Sequence, residues 1–251
     1  MRIGRKILAT AAIGGLIALL SGCSSSSIPG FGFKKDLSSV NQISISLWQF
    51  VVISIIIVGV FTFVLIMWPI FFHRKKSEEF PKQTQYNIPV EVAYTVIPFV
   101  IVAVLFFLTA KDESKITHIT PVSKVAHVID VNAYQWSWQF TYADTKLAAK
   151  DSTVTGTPGQ PPTLVLPQGE RVQFVLTSSD VVHGFWIPAF MIQMQNLPGV
   201  TNHLEFSAEK LGTYPGRCNI LCGRNHSQML FKVKVVTPAE YQSYLATFKA
   251  A

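Results

Sequence analysis

The chain has 251 residues, of which 49% are hydrophobic and only 14% charged, and its formal net charge is +7. That balance is too apolar for an ordinary soluble domain and points to membrane spans. No basic run is interleaved with aromatics on a polar stretch, which excludes nucleic acid as a partner in spite of the positive charge.

Residues 1–22 read as a secretory leader. Arg2, Arg5 and Lys6 form a charged start, and an apolar run too short to span comfortably follows. The leader ends Leu20-Ser21-Gly22-Cys23. The phrase resembles the lipobox of bacterial lipoproteins, which implies cleavage before Cys23 and lipidation of that residue, the alternative being an uncleaved apolar start with an incidental cysteine. Residues 23–46 carry four serines directly after Cys23, then Pro29, Gly30 and Gly32, the composition of a flexible extracytoplasmic tether. Residues 47–111 hold two predicted spans. The first, 47–72, is long enough to cross a bilayer even when tilted, and Trp48 and Trp68 lie near its ends. His73, Arg74, Lys75 and Lys76 follow at once and make the connecting loop cytoplasmic. The second span, 92–110, returns the chain outside. Glu91 stands at its inner edge, where an acid suits a helix start, and Pro98 lies within it.

From residue 112 the pattern changes to short β-rich runs at 125–131, 134–142, 163–166, 172–177, 202–206, 212–218 and 230–236, with turn markers at 158–162 and 167–169. About seven short strands predict a Greek-key sandwich or barrel. A helix is predicted over 238–248, with Pro238 in its first turn. Within 134–142, Trp136, Trp138 and Phe140 fall on one face of the predicted strand, a face that packing alone would assign to the core. His118, His127 and His203 lack partners at motif spacing and read as surface or structural.

Residues 216–229, GRCNILCGRNHSQM, place Cys218, Cys222, His226 and Met229 in one loop. Thiols, an imidazole and a thioether together suit a soft metal such as copper. A disulfide is the plain alternative for two cysteines in an exported domain, and a zinc site is another, although Met229 argues against zinc. Two cysteines exceed what a mononuclear blue-copper site uses, which suggests two metals, and the missing second imidazole is offered by His183 in SSDVVHGFWIP.

These residues resemble the dinuclear copper centre of subunit II of the cytochrome c oxidases, in the heme-copper oxidase family, and the phrase is similar to actinobacterial members. The likeness runs from the first span to Val236. It implies a two-helix transmembrane hairpin followed by an all-β cupredoxin domain over 112–251. It also implies two copper ions held by His183, Cys218, the Ile220 carbonyl, Cys222, His226 and Met229. By the same resemblance Trp136 is the electron-entry residue and Glu91 the mouth of a proton channel into subunit I. The implied partners are oxidase subunits I and III, cytochrome c or a membrane-tethered equivalent, and membrane lipid. The implied place is the bacterial cell membrane, multi-pass, with the copper domain outside. Ile220 stands where many members carry a magnesium-holding Glu, so a magnesium shared with subunit I is in doubt; Gln195 stands for their usual Asp, which implies altered salt bridges to the other subunits. Two other readings remain: a quinol oxidase subunit II, which lacks the copper cysteines, and a copper-delivery lipoprotein, which needs neither Glu91 nor Trp136.

Overall fold

The computed structural model describes residues 32–75, 77–80, 83–143 and 151–248. The leader and Cys23 lie outside the described residues. Two long helices come first, α1 (Asn41–Phe72) and α2 (Ile88–Ile116). Both are long and apolar enough to cross a membrane, and no part of either helix's apolar window is buried inside the protein. Helix α1 overruns its predicted span at the N-terminal end and α2 at both ends, because the polar turns there still satisfy the helix hydrogen-bond ladder. Helix α2 continues through Pro98.

The rest is a sandwich of two five-stranded sheets followed by helix α3 (Pro238–Thr247). In chain order the strands are β1 (His127–Tyr134), β2 (Ser137–Tyr142), β3 (Thr153–Thr155), β4 (Thr163–Pro167), β5 (Arg171–Ser178), β6 (His183–Ile187), β7 (Ile192–Asn196), β8 (Asn202–Ser207), β9 (Gly212–Cys218) and β10 (Leu230–Val236). One sheet has the order β3-β2-β1-β5-β8 and the other β4-β10-β9-β6-β7. Each sheet contains one parallel pair, β1 with β5 and β10 with β4, among antiparallel neighbours.

The strands form where apolar and polar residues alternate. In β10, Phe231, Val233 and Val235 point inward while Lys232 and Lys234 point to solvent. Between the sheets Phe185 stacks on Phe231 with ring centroids 4.9 Å apart, and Trp138 meets both rings edge-on. Helix α3 opens with a reciprocal cap between Thr237 and Glu240 and buries Tyr241 and Leu245.

The structure corrects the sequence reading in three places. The predicted strand over 134–142 is a hairpin: β1 ends at Tyr134, β2 begins at Ser137, and Gln135 and Trp136 form the turn. Trp138 and Phe140 are buried in the core, but Trp136 is only half-buried and does not share their face. Strands β3, β6 and β7 were not expected. Their sequences are short or mixed in polarity, and pairing with stronger neighbours makes them strands. The predicted tether is ordered at its end. Leu37, Ser38, Val40 and Asn41 are buried against the sandwich, where Ser39 and Ser207 exchange backbone and side-chain hydrogen bonds of 3.0 Å.

Candidate metal centre

Strand β6 pairs with β9 so that Phe185 faces Cys218, and β9 pairs with β10 so that Arg217 faces Leu230. This register brings the first residue of β6, His183, to the last residue of β9, Cys218. The 219–229 loop then returns over them, closed by a 3.0 Å bond from the Cys218 N–H to the Met229 carbonyl. Gly184 lets the loop lie on β6: an added Cβ would sit 1.9 Å from Asn219 Oδ1 and 2.9 Å from Ile220 Cγ1.

The six expected donors come together as two thiols with four others around them: two imidazoles, a thioether and a backbone carbonyl. Cys218 Sγ and Cys222 Sγ are 3.8 Å apart, and both cysteines are free, so the disulfide alternative is not the state of this structure. His183 Nδ1 lies 3.9 Å from Cys218 Sγ, and His226 Nδ1 lies 3.5 Å from Cys222 Sγ. The Ile220 carbonyl is 3.2 Å from Cys218 Sγ, and Met229 Sδ is 3.8 Å from Cys222 Sγ. Each sulfur thus has its own imidazole and its own weaker donor. His183, Cys218, Cys222 and Met229 are buried, and His226 is half-buried.

Asp180 orients the first imidazole. Its Oδ1 lies 2.8 Å from His183 Nε2, which fixes the ring with Nδ1 facing the sulfur. The same carboxylate accepts from the Gln135 N–H at 2.7 Å and the Val181 N–H at 2.6 Å. Partial burial works against the Asp180 anion, but these bonds outweigh it and hold the carboxyl below its usual range. Burial likewise pushes His183 down, while Cys218 and Asp180 push it up, and the net direction is up.

The two thiols diverge. Burial disfavours the Cys218 thiolate, yet bonds from His183, the Gly184 and Ile220 backbone and Cys222 prevail, and its pKa falls to about 6. Cys222 is pushed up to about 12, first by burial and then by the charge of Cys218. The pair therefore releases one proton easily and resists losing the second, unless a cation arrives to balance it.

The donor chemistry fits two soft cations. Two thiols, two imidazoles, a thioether and a carbonyl exceed the four ligands of a closed zinc site. Magnesium fits poorly here. Beside Ile220 the surface is lined by Gln193, Gln195 and Asn219, amides without a carboxylate, whereas magnesium is bound through carboxylates.

Trp136 lies beside the thiols. Its Nε1 donates to the Cys222 carbonyl at 3.2 Å. Gln135, which the sequence reading passed over because a lone Gln carries no motif, donates to the same oxygen from Nε2 at 2.8 Å. Glu91 is far away in sequence and in role. Its Oε1 accepts from the Asn87 N–H at 3.0 Å, while Asn87 Oδ1 accepts from the Val90 N–H at 3.4 Å, so it helps to start α2. His127 is buried and its Nε2 meets Glu170 Oε2 at 2.5 Å, a structural pair; His118 and His203 are exposed.

A family model described as cytochrome C oxidase subunit II, periplasmic domain, matches residues 127–236. The probable cytochrome c oxidase subunit 2 of Streptomyces avermitilis is 37% identical over 276 residues, spanning 96% of this chain and 86% of the relative. Cytochrome c oxidase subunit 2 of Mycobacterium tuberculosis H37Rv is 33% identical over 298 residues, spanning 96% and 81%. The crystal structure of the periplasmic domain of subunit II of cytochrome oxidase of Bradyrhizobium japonicum is 27% identical with a TM-score of 0.45, covering 53% of this chain and 98% of that one. By its likeness to the full-length relatives, over nearly its whole length, the chain belongs to the cytochrome c oxidase subunit II family.

Proposed function

We propose that this chain is the electron-entry subunit of a heme-copper oxidase. It takes electrons from cytochrome c on the outer side of the bacterial cell membrane and hands them to heme in subunit I, where oxygen is reduced to water with proton translocation. The observation that carries this reading is the paired arrangement of donors: two thiols 3.8 Å apart, each with its own imidazole and its own weak donor. Two copper ions would be held there by His183, Cys218, the Ile220 carbonyl, Cys222, His226 and Met229. When bound they would supply one-electron chemistry with the charge shared across both sulfurs.

The chain's own residues do the rest. Asp180 fixes the His183 ring, and the buried Phe185, Phe231 and Trp138 keep water from the sulfurs. Trp136 offers a surface ring tied to the Cys222 carbonyl. Helices α1 and α2 hold the domain on a membrane that they cross twice, with subunits I and III as neighbours. Glu91 at the start of α2 admits protons toward subunit I, and Cys23 carries a lipid.

Metal analysis of the purified complex, with an electron-spin spectrum, tests the centre. Two coppers for this subunit and a mixed-valence signal are expected, and Cys218→Ser should abolish that signal because one of the two thiols that would hold the metals is gone. One copper, or zinc, would overturn the reading.

A further inference from the structure

The two thiols are anchored unequally. Cys218 ends β9, and its N–H donates to the Met229 carbonyl at 3.0 Å. Cys222 lies in open loop. Among the described residues, Ile220, Leu221 and Cys222 form no backbone-to-backbone hydrogen bond. A stretch of irregular backbone that carries a donor must find its partners elsewhere. The Cys222 carbonyl finds two, both from the turn between β1 and β2: Gln135 Nε2 at 2.8 Å and Trp136 Nε1 at 3.2 Å. Gly223 permits this approach. Its φ is +119°, and an added Cβ would stand 3.1 Å from both nitrogens.

The same turn reaches the other half of the cluster. The Gln135 N–H donates to Asp180 Oδ2 at 2.7 Å, and Asp180 Oδ1 lies 2.8 Å from His183 Nε2. His183 faces Cys218, whereas His226 faces Cys222. Gln135 therefore holds one group behind each half. Its backbone grips the carboxylate behind His183, and its side chain grips the carbonyl of Cys222. The Gln135 residue is exposed, so it fills no core and its part is played through these two bonds. Trp136 touches only the Cys222 side of the pair.

We propose that Gln135 is a positioning residue of the metal centre, a clamp that keeps the His183–Cys218 half and the Cys222–His226 half in register so that the two coppers are equivalent. The proposal rests on the copper-centre reading and adds a residue that touches no metal. Groups placed behind metal ligands act in this way, by fixing the orientation of the donors in front of them.

The test uses the purified, copper-loaded oxidase complex. Gln135→Leu removes the amide and keeps the backbone N–H. Copper should then pass to a competing chelator about two- to tenfold more readily, the size of one net hydrogen bond. The mixed-valence electron-spin signal should persist, but its hyperfine pattern should report two less equivalent coppers. Gln139→Leu is the control. Gln139 lies on the same hairpin, and its amide donates to the Thr155 hydroxyl at 3.2 Å, away from the cluster. That variant should match the unaltered complex in both readouts. Asp180→Asn combined with Gln135→Leu should cost less copper retention than the product of the two single effects, because both loosen one shared restraint.

An unchanged hyperfine pattern in Gln135→Leu overturns the proposal, whatever happens to copper retention. So does a double variant whose loss equals the product of the single losses. If the unaltered complex itself shows no two-copper signal, the copper-centre reading fails instead, which is a separate result.

Discussion

The donor cluster and the seam between the sandwich and its two helices are built in opposite ways. At the cluster every polar partner comes from nearby loops of the same domain: Asp180 for His183, and Gln135 and Trp136 for Cys222. At the seam the partners come from distant parts of the chain. Glu205 in β8 is fully buried, and it accepts from the Thr120 N–H at 2.7 Å and the Thr120 hydroxyl at 2.8 Å, in the segment leaving α2. Arg171 donates to the same carboxylate from β5. On the other helix, Ser38 donates to the Phe190 carbonyl at 3.1 Å and Asn41 to the Ala189 carbonyl at 3.4 Å, where α1 begins. The cluster can therefore form within the sandwich, whereas the seam exists only when both helices are attached.

The largest expected effect breaks the cluster's outward link and leaves its donors in place. Trp136→Ala removes the indole and one of two hydrogen bonds to the Cys222 carbonyl, while Gln135 keeps the other. Electron transfer from cytochrome to the centre should fall by roughly two orders of magnitude, as for lost positioning between reacting groups. The spectrum of the bound metal should stay as it was, and the two readouts together separate an entry role from a packing role. Loss of the metal signal would show that Trp136 mainly supports the fold.

A smaller effect is expected at Asp180. Asp180→Asn keeps the shape but weakens the hold on His183 Nε2, and the ring can then adopt the other tautomer. Substitutions of this kind cost about 10–100-fold in metal affinity, so copper should be lost to a competing chelator that much more readily. Equal retention in the variant would mean that the cluster geometry alone positions His183.

The seam should weaken in acid. Burial opposes the Glu205 anion, but the two bonds from Thr120 and the Arg171 charge outweigh it, and the carboxyl lies below its ordinary 4.5. Its contribution to stability is complete above that value and is lost as the pH falls through the lower, folded-state value. Glu205→Gln should remove about 1–3 kcal/mol at neutral pH, toward the lower figure because Arg171 is half exposed, and should flatten the acid limb of a denaturation series. An unchanged acid limb would assign the seam's stability to the buried Leu37, Val40 and Ile45 instead.

The same contrast explains what the sequence made legible. Cys218, Cys222, His226 and Met229 lie within twelve residues, so their spacing could be read as a donor set, and His183, although His203 is nearer in sequence, is the imidazole that the structure brings to Cys218. Strands such as β10 were visible because their alternation is strict. Trp136 was misplaced because its spacing from Trp138 and Phe140 matches a strand, and no Gly, Pro or Asn-Gly pair marks the reversal after Tyr134. The seam was invisible: Leu37-Ser38-Ser39-Val40 has tether composition, and only pairing with β8 across most of the chain's length makes it structure. Glu205 carried no motif at all, since nothing local reveals a buried carboxylate whose partners lie at Thr120 and Arg171.

The smallest expected effect tests the far end of α2, where a local job and a proposed remote one coincide. Glu91 Oε1 accepts the Asn87 N–H, a bond that needs an oxygen but no charge. Glu91→Gln keeps that oxygen, so the helix start should be intact and assembly normal. What it removes is the ability to take up and release a proton. Oxygen turnover of the complete complex should fall several-fold, while electron transfer from cytochrome to the centre, which depends on residues of the sandwich, should not change. Glu91→Ala serves as the contrast: it also loses the capping oxygen, at about 0.5–2 kcal/mol of helix stability, and should lower the yield of assembled complex as well as turnover. If Glu91→Gln turns over at the normal rate and only Glu91→Ala is impaired, the residue is a helix-start acid, and protons enter subunit I by a route that this chain does not provide.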